Sequence, residues 1–464
     1  MTSPRLDRAR AAHEIGATIR LALPLITAQL AAVGTNAVDA VLAGHVSAHV
    51  LGAVAVGTSI WALAIVSGIG MMMAVPPSVS QLDGAGRRAE IGAVFRQALW
   101  LAIGMGVLLW FAVRHAEPLI GMIGVAPGLR HDVGEFLHAI SWGAPALTCY
   151  FALRGLSEGL SLTRPSMYFS LGGLLILAPL GYVLMFGKFG IPPQGARGCG
   201  VATALVLWLE MLSFAFYISR HRNYRGLSLG EHFDPPRLRK LGELIKIGLP
   251  MAVTLLAEGG LFVAVALLIG SLGEDIVAGH QVAINIASLF FMIPLGLAMA
   301  ITVRVGNAVG RGDAVGVRYA GFCGIGLTLV TQLFSAGVML SLPHFIASLY
   351  THDATVIALA AQLIVLAGFF QFSDGIQVAS NGALRGLKDT RVPMVITLFA
   401  YWVIGMPIGW WLGFHQQLGA RGMWMGLIAG LSVAALLLFV RFWRGAARQA
   451  WRGRPDREIA SSAH

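Results

Sequence analysis

Charge is scarce in this chain. Only 12% of its 464 residues are Asp, Glu, Lys or Arg, about half of the ~25% that clothes a soluble globular protein, and too little to cover a water-facing body of this size. Cysteine is nearly missing: Cys149, Cys199 and Cys323 form no CxxC pair, which excludes a disulfide-stapled secreted fold and leaves three small apolar residues. No HExxH and no P-loop occurs. Gly155-Leu156-Ser157-Glu158-Gly159 has the letters of a nucleophile elbow, but it joins two apolar spans where that motif needs a strand before it and a helix after it. An enzyme is therefore not expected. What is abundant is apolar: 56% hydrophobic residues and 58 glycines, far too much for disorder. The composition is that of a polytopic membrane protein.

Runs long enough to cross a bilayer, about 20 apolar residues each, recur at 17–43, 51–78, 93–113, 131–153, 166–187 and 198–219, and again at 245–270, 277–303, 319–341, 354–380, 392–413 and 420–440. Twelve spans are predicted. The charged start, MTSPRLDRARAAHEIGATIR, has no short apolar core followed by a small-residue cleavage site, and reads as a cytoplasmic lead-in rather than a signal peptide. With that end inside, 28 of the 33 Lys and Arg fall on the cytoplasmic side, Arg5, Arg454 and Arg457 among them. Arg114, Arg130, Lys188, Arg197 and Arg421 fall outside. This asymmetry predicts both termini inside. It also assigns the formal charge of +11 to a face beside anionic lipid rather than to nucleic acid.

The second half of the chain restates the first. LALPLITAQL around Pro24 answers IGLPMAVTLL around Pro250, and at the same offset Gly44 meets Gly270, Gly70 meets Gly296 and Met73 meets Met299. Leu153-Arg154-Gly155-Leu156 answers Leu384-Arg385-Gly386-Leu387, and Gly195-Ala196-Arg197-Gly198 answers Gly419-Ala420-Arg421-Gly422. Each repeat holds an even number of spans, so both enter the membrane in the same orientation. Such parallel repeats place their substrate site near the midplane, between or within the halves. The segmentation expected is a cytoplasmic segment 1–16, a first bundle 17–220, a linker 221–244, a second bundle 245–443 and a basic tail 444–464.

Ionisable groups at membrane depth are costly and mark function. Four acids lie well inside the predicted spans: Asp39, Glu210, Glu258 and Asp374. No Lys or Arg is expected at comparable depth, so they lack an evident counter-ion. Burial disfavours the charged form of a carboxylate, which can then carry a proton; two carboxylates brought together can instead ligate a small cation. In the repeat Glu258 falls opposite Ala32, Asp374 opposite Gly143, Asp39 opposite Val265 and Glu210 opposite Ala434. None is duplicated, so symmetric positions read as fold and these as function, with Glu258 and Asp374 placing an ion site in the second half. For Glu210 the plainer reading, a carboxylate at a solvated cavity or a headgroup, fits better. Pro24 and Pro250 each remove a backbone hydrogen bond inside the first span of a half, which suits either a moving wall or a static kink. Met71, Met72, Met73, Met292 and Met299 could line an adaptable cavity, with packing or lipid contact as the plainer alternative.

VDAVLAGHVSA, LRGLSEGLSLTRP, GKFGIPPQGARGCGVATAL, the long stretch from Glu274 through AGHQVAIN to FMIPLGLAMAITVRVGNAVGRGD, and LRGLKDTRVPM together resemble the multidrug and toxic compound extrusion (MATE) family, in its NorM-like bacterial branch, over residues 15–443. The resemblance implies an all-α protein of twelve transmembrane helices, arranged as two six-helix bundles around a V-shaped cavity. It also implies a secondary transporter of the bacterial inner membrane that exports cationic amphipathic drugs or dyes by alternating access, in exchange for inward Na⁺ or H⁺. No cofactor beyond the coupling ion and no partner beyond lipid is implied, and a monomer is expected. Glu258 and Asp374 match the family's second-bundle cation acids, which would be the ligands if Na⁺ is the ion. Asp39 matches the first-bundle acid, and Pro24 matches the proline at which the first helix bends in some members. Two departures stand out. Phe370 occupies the position of a Tyr in some Na⁺-coupled members, leaving the carboxylates to carry the site, and Leu177 and Gly181 replace two Asn near Asp39. The alternative cargo is a lipid-linked oligosaccharide, whose flippase is expected to need deep Arg or Lys.

Overall fold

A computed structural model describes residues 8–122, 125–229 and 234–452. Arg5, Arg454, Arg457 and part of the predicted linker and tail lie outside the described residues. Those residues are almost all helical, with no strand among them. The first half contributes α1 (Arg8–Val46), α2 (Ala48–Met72), α3 (Val75–Gly84), α4 (Arg88–Arg114), α5 (Glu117–Met122), α6 (Pro127–Ser141), α7 (Ala144–Gly159), α8 (Arg164–Phe186) and α9 (Gly195–Arg220). The second contributes α10 (Leu238–Gly270), α11 (Glu274–Gly310), α12 (Ala314–Ser341), α13 (Pro343–Ser348), α14 (Ala354–Gly386), α15 (Arg391–Leu398), α16 (Met406–Trp410) and α17 (Ala420–Arg452). Eleven of the resulting segments are long and apolar enough to cross a membrane. The pair α6 and α7, bent by 45° at its break, makes the twelfth if it is one span. Apolar side chains such as Leu175, Leu267 and Phe334 face outwards, as lipid rather than water requires.

Local chemistry sets the ends of these helices. The Asp313 carboxylate accepts from the Gly316 N–H at 2.8 Å, and Asp353 accepts from Thr355 at 2.8 Å and Val356 at 3.2 Å, satisfying first-turn donors of α12 and α14. Gly187, at φ +71°, closes α8 in the left-handed region. The break between α6 and α7 falls just before Pro145, whose ring cannot continue the preceding helix.

The chain divides into two compact units. The amino-terminal unit comprises Thr27–Asp83 and Arg87–Ala252; the carboxy-terminal unit comprises Met1–Ile26, Gly84–Gly86 and Val253–His464. Two helices change unit along their length, α1 after Ile26 and α10 after Ala252, and in each the change comes shortly after the internal proline, Pro24 or Pro250.

Inside the amino-terminal unit one core gathers Trp61, Phe136, Leu137 and Ile140, and another Phe95, Tyr150, Leu156 and Phe214. The segment after α9 is pinned to α4. Arg96 donates to Asp234 at 2.7 and 2.9 Å, Gln97 donates to the Pro235 carbonyl at 3.0 Å, and the Trp100 indole donates to the Asp234 carbonyl at 3.0 Å. The Arg96 guanidinium holds the Asp234 carboxyl below the usual carboxylate range.

The carboxy-terminal unit packs α11 on α14 and α14 on α17. Its last hairpin is backbone against backbone: a Cβ on Gly422, Gly426 or Gly430 of α17 would overlap the main chain around Gly413, Gly409 and Gly405. Such spaced small residues let membrane helices approach closely enough for dispersion contacts to hold them. Two stretches beside this seam, Phe399–Gly405 and Trp411–His415, are wound as π-helix. At one end of the unit α1 is tied down by ion pairs, Arg10 to Asp313 at 2.5 Å and Arg304 to Glu14 at 2.6 Å.

Candidate functional site

Glu258 stands on the later part of α10 and Asp374 within α14. Asp374 is 2% exposed and Glu258 half-buried, and the two are electrostatic neighbours. A third group joins them. Tyr401, fully buried on the π-wound stretch, interacts electrostatically with both carboxylates, and its phenol oxygen has no hydrogen-bond partner among the described residues. One turn to either side the pattern repeats. Gln377 follows Asp374 on α14, Thr397 precedes Tyr401, and both the Gln377 Oε1 and the Thr397 hydroxyl are buried without a partner. An orphaned buried polar atom costs about 1–3 kcal/mol unless something outside the chain meets it. Two acids, a phenol and unmet oxygens can hold a proton or a small cation.

The neighbours of Asp374 on α14 are held in place from α12. Gln332 Nε2 donates to the Gln371 carbonyl and to its Oε1, both at 2.8 Å. Gly375 makes the approach possible, since a Cβ there would lie 2.5 Å from Gln332 Cγ. Phe370 belongs to an aromatic cluster, edge-on to Phe262 at 6.1 Å and to Trp424 at 5.8 Å. The Trp424 indole donates to His280 Nδ1 at 3.2 Å. Position 370 is thus apolar packing, and the hydroxyl of the site comes from Tyr401. Spacing along the chain does not reveal this residue, because a reading at 3.6 residues per turn fails where the stretch is wound as π-helix.

One expectation is corrected. The deep acids were expected to lack basic neighbours, yet Arg154 on α7 and Arg385 on α14 are buried, at 7% and 6% exposure. Arg385 acts electrostatically on Glu258. Arg154 pairs with Glu158 at 2.5 Å and donates to Gln29 at 2.9 Å. α7 runs on to Gly159 and α14 to Gly386, so both arginines lie within helices and not in loops. Their recurrence in both repeats, with Glu158 one turn beyond Arg154, was the available signal.

The other two acids lie in the amino-terminal unit. Asp39, buried on α1, accepts from the Thr203 hydroxyl at 3.4 Å and from the Cys199 thiol, and its Oδ1 has no partner. Leu177 is buried apolar packing on α8, and Gly181 faces Leu42. Glu210 on α9 lies against Gly173 of α8, with Arg154 and Tyr150 as charged and polar neighbours. Met71 packs in the core around Phe95 and Leu156, and Met299 packs against Ala22 and Leu25. Pro24 and Pro250 sit inside helices that continue through them. Among the described residues no group of three or more His, Cys, Asp or Glu could hold a metal ion, so any cation at Glu258 and Asp374 is held by two carboxylates and neutral oxygens.

The family model MatE matches residues 24–183 and again 250–411, one match per repeat, opening at Pro24 and at Pro250. The chain belongs to the MATE family. This MATE protein is 49% identical over 433 residues to the probable multidrug resistance protein NorM of Xanthomonas campestris, covering 93% of this chain and 94% of that one. It is 43% identical over 459 residues to the multidrug resistance protein PmpM of Pseudomonas aeruginosa, covering 97% and 96%. Among solved structures, a MATE protein in its bent conformation superposes with a TM-score of 0.87 at 18% identity, covering 97% of this chain and all of that one. The eukaryotic MATE transporter AtDTX14 gives 0.86 at 20%, covering 96% and 100%. The fold is the MATE fold, and this MATE protein is a transporter and not an enzyme.

Proposed function

We propose that this MATE protein is a multidrug exporter of the bacterial cytoplasmic membrane, exchanging cationic amphipathic drugs or dyes for inward H⁺ or Na⁺ by alternating access. The names of its relatives support the cargo class. The observation that carries the coupling is the convergence of Glu258, Asp374 and the unpartnered Tyr401 phenol inside an apolar helical unit. Filling this site with a cation would neutralise it, and emptying it would leave negative charge to attract a positive drug. A ligand moves a two-state equilibrium only by its differential affinity for the states, so the acids are where the gradient acts. Asp39 would contribute a second, lesser protonatable site. The chain would work as a monomer with both termini cytoplasmic.

The alternative cargo, a lipid-linked oligosaccharide, needs cations free to hold a pyrophosphate. Of the two buried arginines, Arg154 is held by Glu158 at 2.5 Å, and Arg385 donates to the Asn381 carbonyl at 3.4 Å and lies in the field of Glu258, an arrangement that favours the drug reading.

The test is efflux of a fluorescent cationic dye from proteoliposomes under a Na⁺ gradient and, separately, a pH gradient. Export driven by either one supports the proposal and names the ion. Export driven by neither, or retained in full by Glu258→Gln combined with Asp374→Asn, overturns it.

A further inference from the structure

At the end of α9, where the sixth span leaves the apolar layer, a groove of about 660 Å³ opens between α8 and α9. Its floor is aromatic and fixed. Phe169 stacks on Phe214 at 4.6 Å and meets Tyr217 edge-on at 5.8 Å, while Leu212 and Phe216 turn outwards, 57% and 64% exposed. Its rim is basic. The Arg220 guanidinium lies over the Phe216 ring at 5.5 Å and has no ion-pair partner among the described residues. His221 stacks on Tyr217 at 4.8 Å. Its Nδ1 accepts the Asn223 N–H at 3.3 Å, so Nε2 carries the ring proton and remains a donor. No acid lines the groove, and Arg222 and Arg225 follow directly in the chain.

We infer that this groove binds one anionic phospholipid, its acyl chain along Phe169, Leu212 and Phe216 and its phosphate at Arg220 and His221. The chemistry is complementary at both ends. An apolar slot facing the bilayer accepts a lipid tail, and an unpaired guanidinium beside an imidazole N–H donor accepts a phosphate in the plane where headgroups lie. A zwitterionic lipid brings the same phosphate but also a cation, which the basic rim repels. The site is independent of cargo and coupling ion, so it can fail without the transport reading failing.

The experiment is native mass spectrometry of the purified full chain with phosphatidylglycerol or phosphatidylcholine as the added lipid. Preferential retention of phosphatidylglycerol is expected, falling about fivefold in Arg220→Gln and further when His221→Gln is added. Arg220→Lys should keep most of it. Arg239→Gln, which removes an exposed arginine elsewhere in the same unit, should leave it unchanged; thermal melting confirms that each variant is folded. Equal retention of the two lipids, an unchanged phosphatidylglycerol signal in folded Arg220→Gln/His221→Gln, or an equal loss in Arg239→Gln would each overturn the assignment.

Discussion

Where the first half of the chain places Gly143 and then Pro145, the second half places Asp374 and then Ile376. In the first half the span bends by 45° at that point, and Gly143 lets the turn press on α9, a Cβ there lying 2.8 Å from Leu207. In the second half α14 runs unbroken for 33 residues and carries a buried carboxylate at the same place. The arginines diverge in the same way. Arg154 is closed off in a short ion pair with Glu158, one turn away on its own helix, whereas Arg385 is an electrostatic neighbour of Glu258 on another helix. Duplicated positions have kept the frame. The proposed chemistry lies where the two copies differ.

The sharpest way to break this contrast is to open the closed pair. Glu158→Ala strands a buried guanidinium and should destabilise the fold by about 3–5 kcal/mol, read as a large drop in melting temperature. Glu258→Gln should melt close to the unmodified chain while losing transport; a melting loss as deep as that of Glu158→Ala would make the two arginines equivalent. Next in size, Asp374→Asn should reduce gradient-driven dye efflux by about 10- to 100-fold, with binding of dye in detergent retained. Tyr401→Phe should act in two directions: the cation dependence of efflux weakens about fivefold, while melting rises, because a buried hydroxyl without a partner is removed. Gly143→Ala tests the first-half counterpart. Its Cβ meets Leu207 and should cost about 1 kcal/mol by crowding, seen in melting, with the ion dependence of efflux unchanged.

The smallest effect concerns the segment pinned to α4. Because the Asp234 carboxyl is held below its ordinary value of 3.8, its bond to Arg96 contributes fully above that value. The contribution fades as pH falls through the lower value of the folded chain. Exchange of the Arg237 amide, which donates to Gln97 at 2.7 Å, should therefore be independent of pH, after correction for intrinsic rates, from neutrality down to about pH 4 and rise only below it.

Much of this was legible before any coordinates. Apolar run length marked the spans, and the offset between Pro24 and Pro250 marked the repeat. The absence of counterparts marked all four deep acids, and of these Glu258 and Asp374 are electrostatic neighbours in the second half. Two things were not legible, for different reasons. Arg154 and Arg385 read as loop residues because a charge near the end of an apolar run looks like its end, whereas the helix continues to Gly159 and Gly386. Tyr401 could not be paired with Asp374 from spacing, since that inference assumes 3.6 residues per turn, and the stretch carrying the phenol is wound more widely.

That wider winding has a consequence for the history and the engineering of the chain. A π-stretch is an α-helix that has absorbed an extra residue without moving its ends. Deleting one residue between Phe399 and Gly405 should therefore be accepted as a tighter helix rather than rejected as a frame error. Its result would be a turn of ~100° applied to the residues on one side of the cut. Tyr401 would swing away from the acids if the cut lies on one side of it and keep its bearing if the cut lies on the other. A single codon lost at neighbouring positions would thus give siblings with the same fold and the Tyr401 phenol on different bearings.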